Sequence, residues 1–294
     1  MSTLRIRLFG TLDLERDGQS LARFPSRKVR ELFAYLILNR HTSHPREHLA
    51  GLFWGDSDDE RARHSLNTAL WRLNGVLAHE GGRAYLRVTP QEIGFNLSGE
   101  FWLDVAEFES RCALAEQAST PDQRAALYSQ AVSFYSGELL PDCYEEWCTL
   151  ERERLQCLYL RALGRLVGYH ARRQHYEQAI DYARRILSAD GLREEVHRAL
   201  IDLYLSAGQP AAALRQYRAC EDVLQRELAV KPAPETQALL ARILASQPTR
   251  PATPAAPSLL AELARELAAT VDLVQQAAAA CNQVQARLQE LTAA

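Results

Sequence analysis

Apolar residues at the start of the chain alternate with charged ones. Leu4, Ile6 and Leu8 are separated by arginines, and the alternation continues to Leu14. A period of two is typical of a strand with one buried face. Asp17-Gly18 then supplies a dipeptide that favours a hairpin turn. We therefore predict a small strand meander at the N-terminus.

Three segments with helical spacing of apolar residues follow. We predict helices over Ser26–Asn39, Pro45–Trp54 and Asp58–His79. Ser26 is a good N-cap residue, and proline is favoured in the first turn of a helix. The third helix begins with three acidic residues, which complement the positive end of a helix dipole.

Two short strands are predicted after the third helix, over Tyr85–Thr89 and Glu92–Leu97, with a turn at Pro90-Gln91. Leu86 and Val88 share one face of the first strand, and Ile93, Phe95 and Leu97 share one face of the second. Strands, three helices and a hairpin are the element order of a winged helix-turn-helix preceded by a small sheet. Residues 1–98 are therefore predicted to form this α+β domain.

The pattern from Glu100 to Ala245 is almost purely helical and contains a repeat. Residues 166–187 align with residues 200–221 at an offset of 34 residues. This period is typical of tetratricopeptide repeats, in which each unit is a helical hairpin. A chance likeness of two amphipathic hairpins is the alternative. We predict an all-α, tetratricopeptide-like domain over residues 99–246, so that the fold class is mainly α.

A proline-rich linker at residues 247–257 precedes a last helical segment at residues 258–294. Apolar residues in this segment follow heptad spacing, which favours a coiled coil and a homo-oligomer, with a dimer preferred. The alternative is an amphipathic helix that docks on its own chain. The residues that we assign to oligomerisation are Leu260, Leu263, Leu267, Val274, Cys281, Val284, Leu288 and Leu291.

Composition limits the classes of function. The chain has 294 residues, of which 47% are hydrophobic and 24% charged, as in a soluble protein of about two domains. No apolar run is long enough for a membrane span or a secretion signal, so we expect a cytoplasmic protein without a membrane partner. The six cysteines form no CxxC pair, and His44 and His48 have no evident third ligand. We predict reduced thiols, no metal and no cofactor.

The charge of the chain is divided unevenly. Residues 1–99 carry 14 basic and 11 acidic side chains, whereas the remainder carries 20 basic and 26 acidic ones. A small basic excess permits a nucleic-acid partner for the first domain without requiring one.

The third helix has an apolar arc and an opposite polar arc that suits a major groove. Arginine and histidine donate to guanine, asparagine can bind adenine through two hydrogen bonds, and threonine or tryptophan can contact a thymine methyl group. Basic residues at the start of the first helix and on the wing can contact phosphates. An ordinary solvated face is the alternative. The predicted DNA-binding residues are Arg27, Lys28, Arg30, Arg61, Arg63, His64, Asn67, Thr68, Trp71, Arg72, Arg83 and Arg87.

These residues lie in a segment that resembles a known family, the streptomycete antibiotic regulatory proteins. The likeness rests on Arg27 and Arg30, the LFWGD turn at Leu52–Asp56, the RARxSL phrase at Arg61–Leu66 and the paired leucines of LWRLNGVL. FWLDVAEFE at Phe101–Glu109 resembles the junction to that family's bacterial transcriptional activator domain. The end of that domain is similar to REEVHRALIDLYLSAGQPAAALRQYRACEDVLQRELAVKPAPETQALL.

The resemblance covers about residues 1–246 and implies an OmpR-type winged helix that binds promoter direct repeats and recruits RNA polymerase. It also implies a tetratricopeptide-like second domain that packs on the first. One departure is Asn74-Gly75, where family members usually have basic residues. Glycine in a helix costs about 1 kcal/mol relative to alanine, and the lost charge weakens phosphate contact.

Two functions follow from these features. The first is a sequence-specific transcriptional activator. The second is a protein-interaction adaptor whose winged helix binds DNA weakly or not at all, which the small basic excess and Asn74-Gly75 favour. We do not expect an enzyme, because the sequence has no GxSxG or GxxxxGK[ST] motif and no cluster of metal ligands.

Overall fold

The chain begins with an antiparallel meander. A computed structural model describes residues 3–21, 24–78 and 84–246. Strands β1 (Leu4–Arg7), β2 (Asp13–Arg16) and β3 (Gln19–Ser20) pair in chain order. The alternating pattern buries Leu4 and Ile6 completely. Asp17 and Gly18 have φ angles of 52° and 80°, as a tight hairpin turn requires, so the predicted turn is confirmed.

Three helices form the body of the first domain, close to their predicted positions. They are α1 (Arg27–Leu38), α2 (Arg46–Trp54) and α3 (Asp59–Leu77). Ser26 caps α1, because its side chain accepts a hydrogen bond from the Val29 amide at 3.4 Å. Helix α3 ends where Arg16 on β2 donates to the carbonyls of Leu77 and Ala78, both at 2.9 Å. A cation at this position also complements the negative end of the helix dipole.

The wing is a three-stranded sheet instead of the predicted hairpin. Its strands are β4 (Ser43–Pro45), β5 (Leu86–Val88) and β6 (Glu92–Phe95), in the order β4-β6-β5. The sequence did not predict β4, in which Pro45 pairs with Glu92 directly before α2. Leu86, Ile93 and Phe95 are buried, whereas Val88 and Leu97 are 43% and 47% exposed. Val88 ends β5 beside the turn, and Leu97 lies beyond the end of β6.

A strand after the wing returns to the first sheet. Strand β7 (Phe101–Leu103) pairs parallel with β1 and completes a sheet of order β3-β2-β1-β7. The expectation of an almost purely helical pattern from Glu100 is therefore wrong at this point. Three residues are too short to show a strand period, and their partner strand lies at the other end of the domain.

Helices make up the rest of the described chain, as the sequence predicts. They are α4 (Asp104–Gln117), α5 (Pro121–Phe134), α6 (Glu146–Arg172), α7 (Tyr176–Ala189), α8 (Glu194–Ser206), α9 (Pro210–Leu228) and α10 (Pro234–Ser246). The 34-residue repeat corresponds to the hairpins α6–α7 and α8–α9. Its aligned pairs Leu166 with Leu200 and Ala179 with Ala213 are all fully buried.

The two domains share a backbone seam at Leu8–Gly10, which we call the β1 seam. Its first two amides donate to Asp104 Oδ2 at 2.8 and 2.9 Å, and its third donates to the Glu138 carbonyl at 2.8 Å. The Leu140 amide and the Ser136 hydroxyl donate back to carbonyls of the seam at 3.1 and 3.0 Å. Hydrogen bonds from the second domain therefore satisfy the end of β1.

The described residues belong to one compact unit, which ends at Ser246. The predicted linker at residues 247–257 and the heptad segment at residues 258–294, with all its proposed oligomerisation residues, lie outside the described residues. Arg83 of the wing does so as well. None of the helices in the described part of the chain has the length and apolarity needed to span a membrane.

We expect Asp104→Ala to lower the free energy of unfolding by about 3 kcal/mol, because it leaves two buried amides of the β1 seam without an acceptor. Asp104 is 3% exposed and also accepts from the Val105 amide at 2.7 Å. Burial raises the pKa of this carboxyl, and its backbone hydrogen bonds partly offset that effect.

Urea denaturation measures this change, with Asp13→Ala as the control. Asp13 pairs with Arg7 at 2.7 Å while 41% exposed, so its loss costs less than about 1 kcal/mol. Equal stability of the two variants would contradict a structural role for the Asp104 carboxylate.

Candidate nucleic-acid interface

Helix α3 presents one apolar and one polar face, as the sequence predicts. Asp58 caps the helix by accepting from the Arg61 amide at 2.9 Å. The buried residues are Ala62, Leu66, Ala69, Leu70, Leu73 and Leu77. On the opposite face, Thr68 is half-buried, and the exposed members of the predicted set are Arg61, Arg63, His64, Asn67, Trp71 and Arg72.

Trp71 is the most exposed tryptophan of the described chain. Its relative exposure is 77%, whereas Trp54, Trp102 and Trp147 are all half-buried. The indole is thus a large apolar surface with one N–H donor, exposed at the middle of a polar face.

A cavity of about 400 Å³ lies between the start of α1 and α3. We call it the α1–α3 cleft. Its lining includes Lys28 from α1 and His64, Thr68 and Arg72 from α3. Among the described residues, Arg72 makes no ion pair, so its guanidinium is free to bind an anion in this cleft. Four predicted DNA-binding residues are thus brought together at one place.

A second cavity, of about 410 Å³, separates α3 from the turn of the wing. Arg46, which is not among the predicted DNA-binding residues, lines this cavity and donates to Asn67 Oδ1 and to the Thr89 carbonyl, the latter at 3.1 Å. Its backbone amide also donates to the Gln91 carbonyl at 3.0 Å. Arg46 therefore orients the Asn67 amide and joins α3 to the wing.

Other predicted residues of this face have partners within the first domain. Arg61 pairs with its own N-cap residue, Asp58, at 3.3 Å, and Arg63 pairs with Glu47 at 3.2 Å. On the wing, Arg87 donates to the Ser43 hydroxyl. All three arginines are exposed, and such exposed pairs are weak. They leave the cations available to phosphate.

The basic start of α1 is different, because anionic side chains already bind its cations. Arg27 donates to the buried carboxylate of Glu31 at 2.6 Å, and this hydrogen bond raises the pKa of Arg27. Lys28 pairs with Glu145 at 2.9 Å, and Arg30 lies 3.7 Å from Asp142. The two partners of Lys28 and Arg30 belong to the second domain, which a reading of α1 alone does not reveal.

The histidines near α2 have a packing role. His44 is 8% exposed and lies 5.0 Å, between ring centroids, from Tyr35 and 6.3 Å from His48. Burial, together with the neighbouring His48, lowers the pKa of His44. No group of three histidine, cysteine or acidic side chains is placed to hold a metal ion anywhere in the described ranges.

Comparison with known proteins agrees with this architecture. The family described as the bacterial transcriptional activator domain matches residues 103–244. The regulatory protein AfsR of Streptomyces griseus is 27% identical over 281 residues, which cover 91% of this chain. The match covers 27% of AfsR, so the chain spans about a quarter of the length of that relative.

A solved structure has the same fold. Mycobacterium tuberculosis EmbR, in complex with a low-affinity phosphopeptide, superposes with a TM-score of 0.67 at 20% identity. The match covers 94% of this chain and 72% of the EmbR chain. Residues 103–244 thus match the bacterial transcriptional activator domain, the chain is similar in sequence to AfsR, and it shares the fold of EmbR.

Proposed function

We propose that the chain is a sequence-specific transcriptional activator that binds direct repeats in promoter DNA and recruits RNA polymerase. Helix α3 enters the major groove, and the wing and the start of α1 contact the phosphate backbone on either side. The observation that carries the proposal is the exposed polar face of α3, with Trp71 at its middle and a cavity on each flank.

The positions of the residues on this face suggest which of them contact bases and which contact phosphates. Arg61, His64, Asn67 and Trp71 project from exposed positions of α3, so we assign them to base contacts. Arg72 lines the α1–α3 cleft beside α1, and we assign it to a phosphate. Base contacts determine sequence preference, whereas phosphate contacts determine affinity and its salt dependence.

We expect Arg61→Ala and Asn67→Ala each to weaken binding to the target promoter by about tenfold, because each removes donors to a base edge. Gel shifts measure this on the promoter of a neighbouring operon and on a random duplex of equal length. Gln225→Ala, at an exposed position of α9, is the control and keeps wild-type affinity. Unchanged affinity and preference in the Arg61 and Asn67 variants would contradict base contact.

We expect Arg72→Ala to weaken binding to all duplexes equally and to reduce the slope of log K against log salt by about 0.9, since one phosphate contact is lost. Arg172→Ala is the charge-matched control, because Arg172 is exposed at the end of α6. Fluorescence anisotropy between 50 and 200 mM salt covers the range in which such contacts weaken binding. An equal slope for both variants would contradict the assignment of Arg72.

A homodimer formed through residues 258–294 would place two reading helices on two direct repeats. We therefore expect a chain truncated at Gln247 to have a smaller mass in light scattering and to bind paired sites more weakly than the full chain. Single sites serve as the control, because their affinity does not depend on dimerisation. Equal masses of the truncated and full chains would contradict self-association through this segment.

The adaptor function is the second candidate, and one structural observation favours it. Lys28 and Arg30 are paired with acidic residues of the second domain, which reduces the cationic surface open to DNA. An adaptor would bind every duplex, specific or random, weakly or not at all, even at low salt. The same gel shifts therefore separate the two functions.

A further inference from the structure

The start of α1 is bound by a short acidic stretch of the second domain, Asp142–Glu145, which we call the acidic segment. We infer that the acidic segment and the DNA backbone compete for Lys28, so that the second domain limits DNA affinity directly. This inference rests on the proposed DNA binding and adds to it an intramolecular competitor of phosphate.

Three contacts join α1 to the acidic segment. Lys28 Nζ lies 2.9 Å from Glu145 Oε1, and Arg30 Nη1 lies 3.7 Å from Asp142 Oδ2. The guanidinium of Arg27 lies over the ring of Tyr144, 5.6 Å from its centroid. The first turn of α1 contains no acidic residue, so Glu145 supplies the negative charge that favours the positive end of a helix.

Helix α6 of the second domain fixes the position of the acidic segment. Arg152 of α6 donates to the carbonyls of Leu139, Leu140 and Cys143 at 2.8 to 2.9 Å. Leu140 has a φ of 43°, a left-handed conformation that is unfavourable for leucine and persists only where its surroundings fix it. Its amide is bonded to the β1 seam. Hydrogen bonds from both domains thus fix the chain that leads into the acidic segment.

Competition follows from where Lys28 lies. The lysine lines the α1–α3 cleft together with Thr68 and Arg72, and its side chain is 42% exposed. A phosphate in this cleft and the Glu145 carboxylate need the same ammonium group, and two anions at one cation repel each other. A DNA phosphate that binds Lys28 must therefore displace the Glu145 carboxylate. Otherwise the DNA binds without a contact to Lys28.

Removing the charge of Glu145 tests this competition. In the full chain, we expect Glu145→Gln to bind the target promoter and a random duplex about two- to fivefold more tightly at low salt, as for the loss of a competing exposed ion pair. The slope of log K against log salt becomes steeper by up to about 0.9, since one more phosphate contact forms. Asp142→Asn gives a smaller gain in the same direction.

Glu146→Gln is the matched control. Glu146 is adjacent and exposed, it has no ion-pair partner within the described ranges, and its substitution changes the net charge equally. We expect wild-type affinity and slope for this variant. In a Lys28→Met background, the gain from Glu145→Gln disappears, because the contested ammonium is absent. Thermal unfolding verifies that each variant is folded.

The outcomes separate the inference from the proposed function. Equal affinity of the wild-type, Glu145→Gln and Glu146→Gln proteins overturns the competition and leaves DNA binding intact. An equal gain in both glutamate variants overturns it too, because the effect would then be one of net charge. Absence of binding to every duplex in all variants overturns both the inference and the proposed function.

Discussion

The structure depends on how the end of β1 satisfies its backbone polar groups. The strand pairs with β2 on one side and with β7 on the other, and its continuation at Leu8–Gly10 is bonded to Asp104, Glu138 and Leu140. Buried amides and carbonyls without partners are costly. The first domain therefore relies on the second domain for hydrogen-bond partners of the β1 seam. These hydrogen bonds hold the two domains together.

This constraint determines which surfaces meet. Residues 136–140 bind the β1 seam, and the acidic segment follows directly, beside the start of α1. Trp147 at the start of α6 packs in the same region, with its ring 5.3 Å from that of Tyr35 and 6.4 Å from that of Phe53. Apolar packing and ion pairs thus act on one interface. Among the described residues, no ion pair or ring contact joins the polar face of α3 to the second domain.

The resulting charge distribution differs between the two sides of helix α3. At the α1–α3 cleft, Lys28 is shared with Glu145, while Arg72 has no ion-pair partner within the described ranges. On the wing side, Arg46 holds Asn67 and the Thr89 carbonyl. The cation on the cleft side thus has its partner in the second domain, whereas the cation on the wing side has its partners in the first domain.

Local periodicity made much of the fold predictable. The strand alternation, the three helices, the two faces of α3 and the 34-residue helical repeat are each encoded within a few dozen residues. Side chains on one helix face or one strand face follow from the backbone period alone. The predicted exposure of Trp71 and burial of Leu66 are confirmed for this reason.

The sequence by itself thus determined the order of elements and the side chains that α3 exposes. Only the tertiary structure decided the partners that lie far apart along the chain: β7 against β1, Arg46 on Asn67, and Glu145, 117 residues from Lys28, at the start of α1. No periodic pattern encodes such pairs, because each is made by a single residue or a short strand whose position depends on the packing of whole domains.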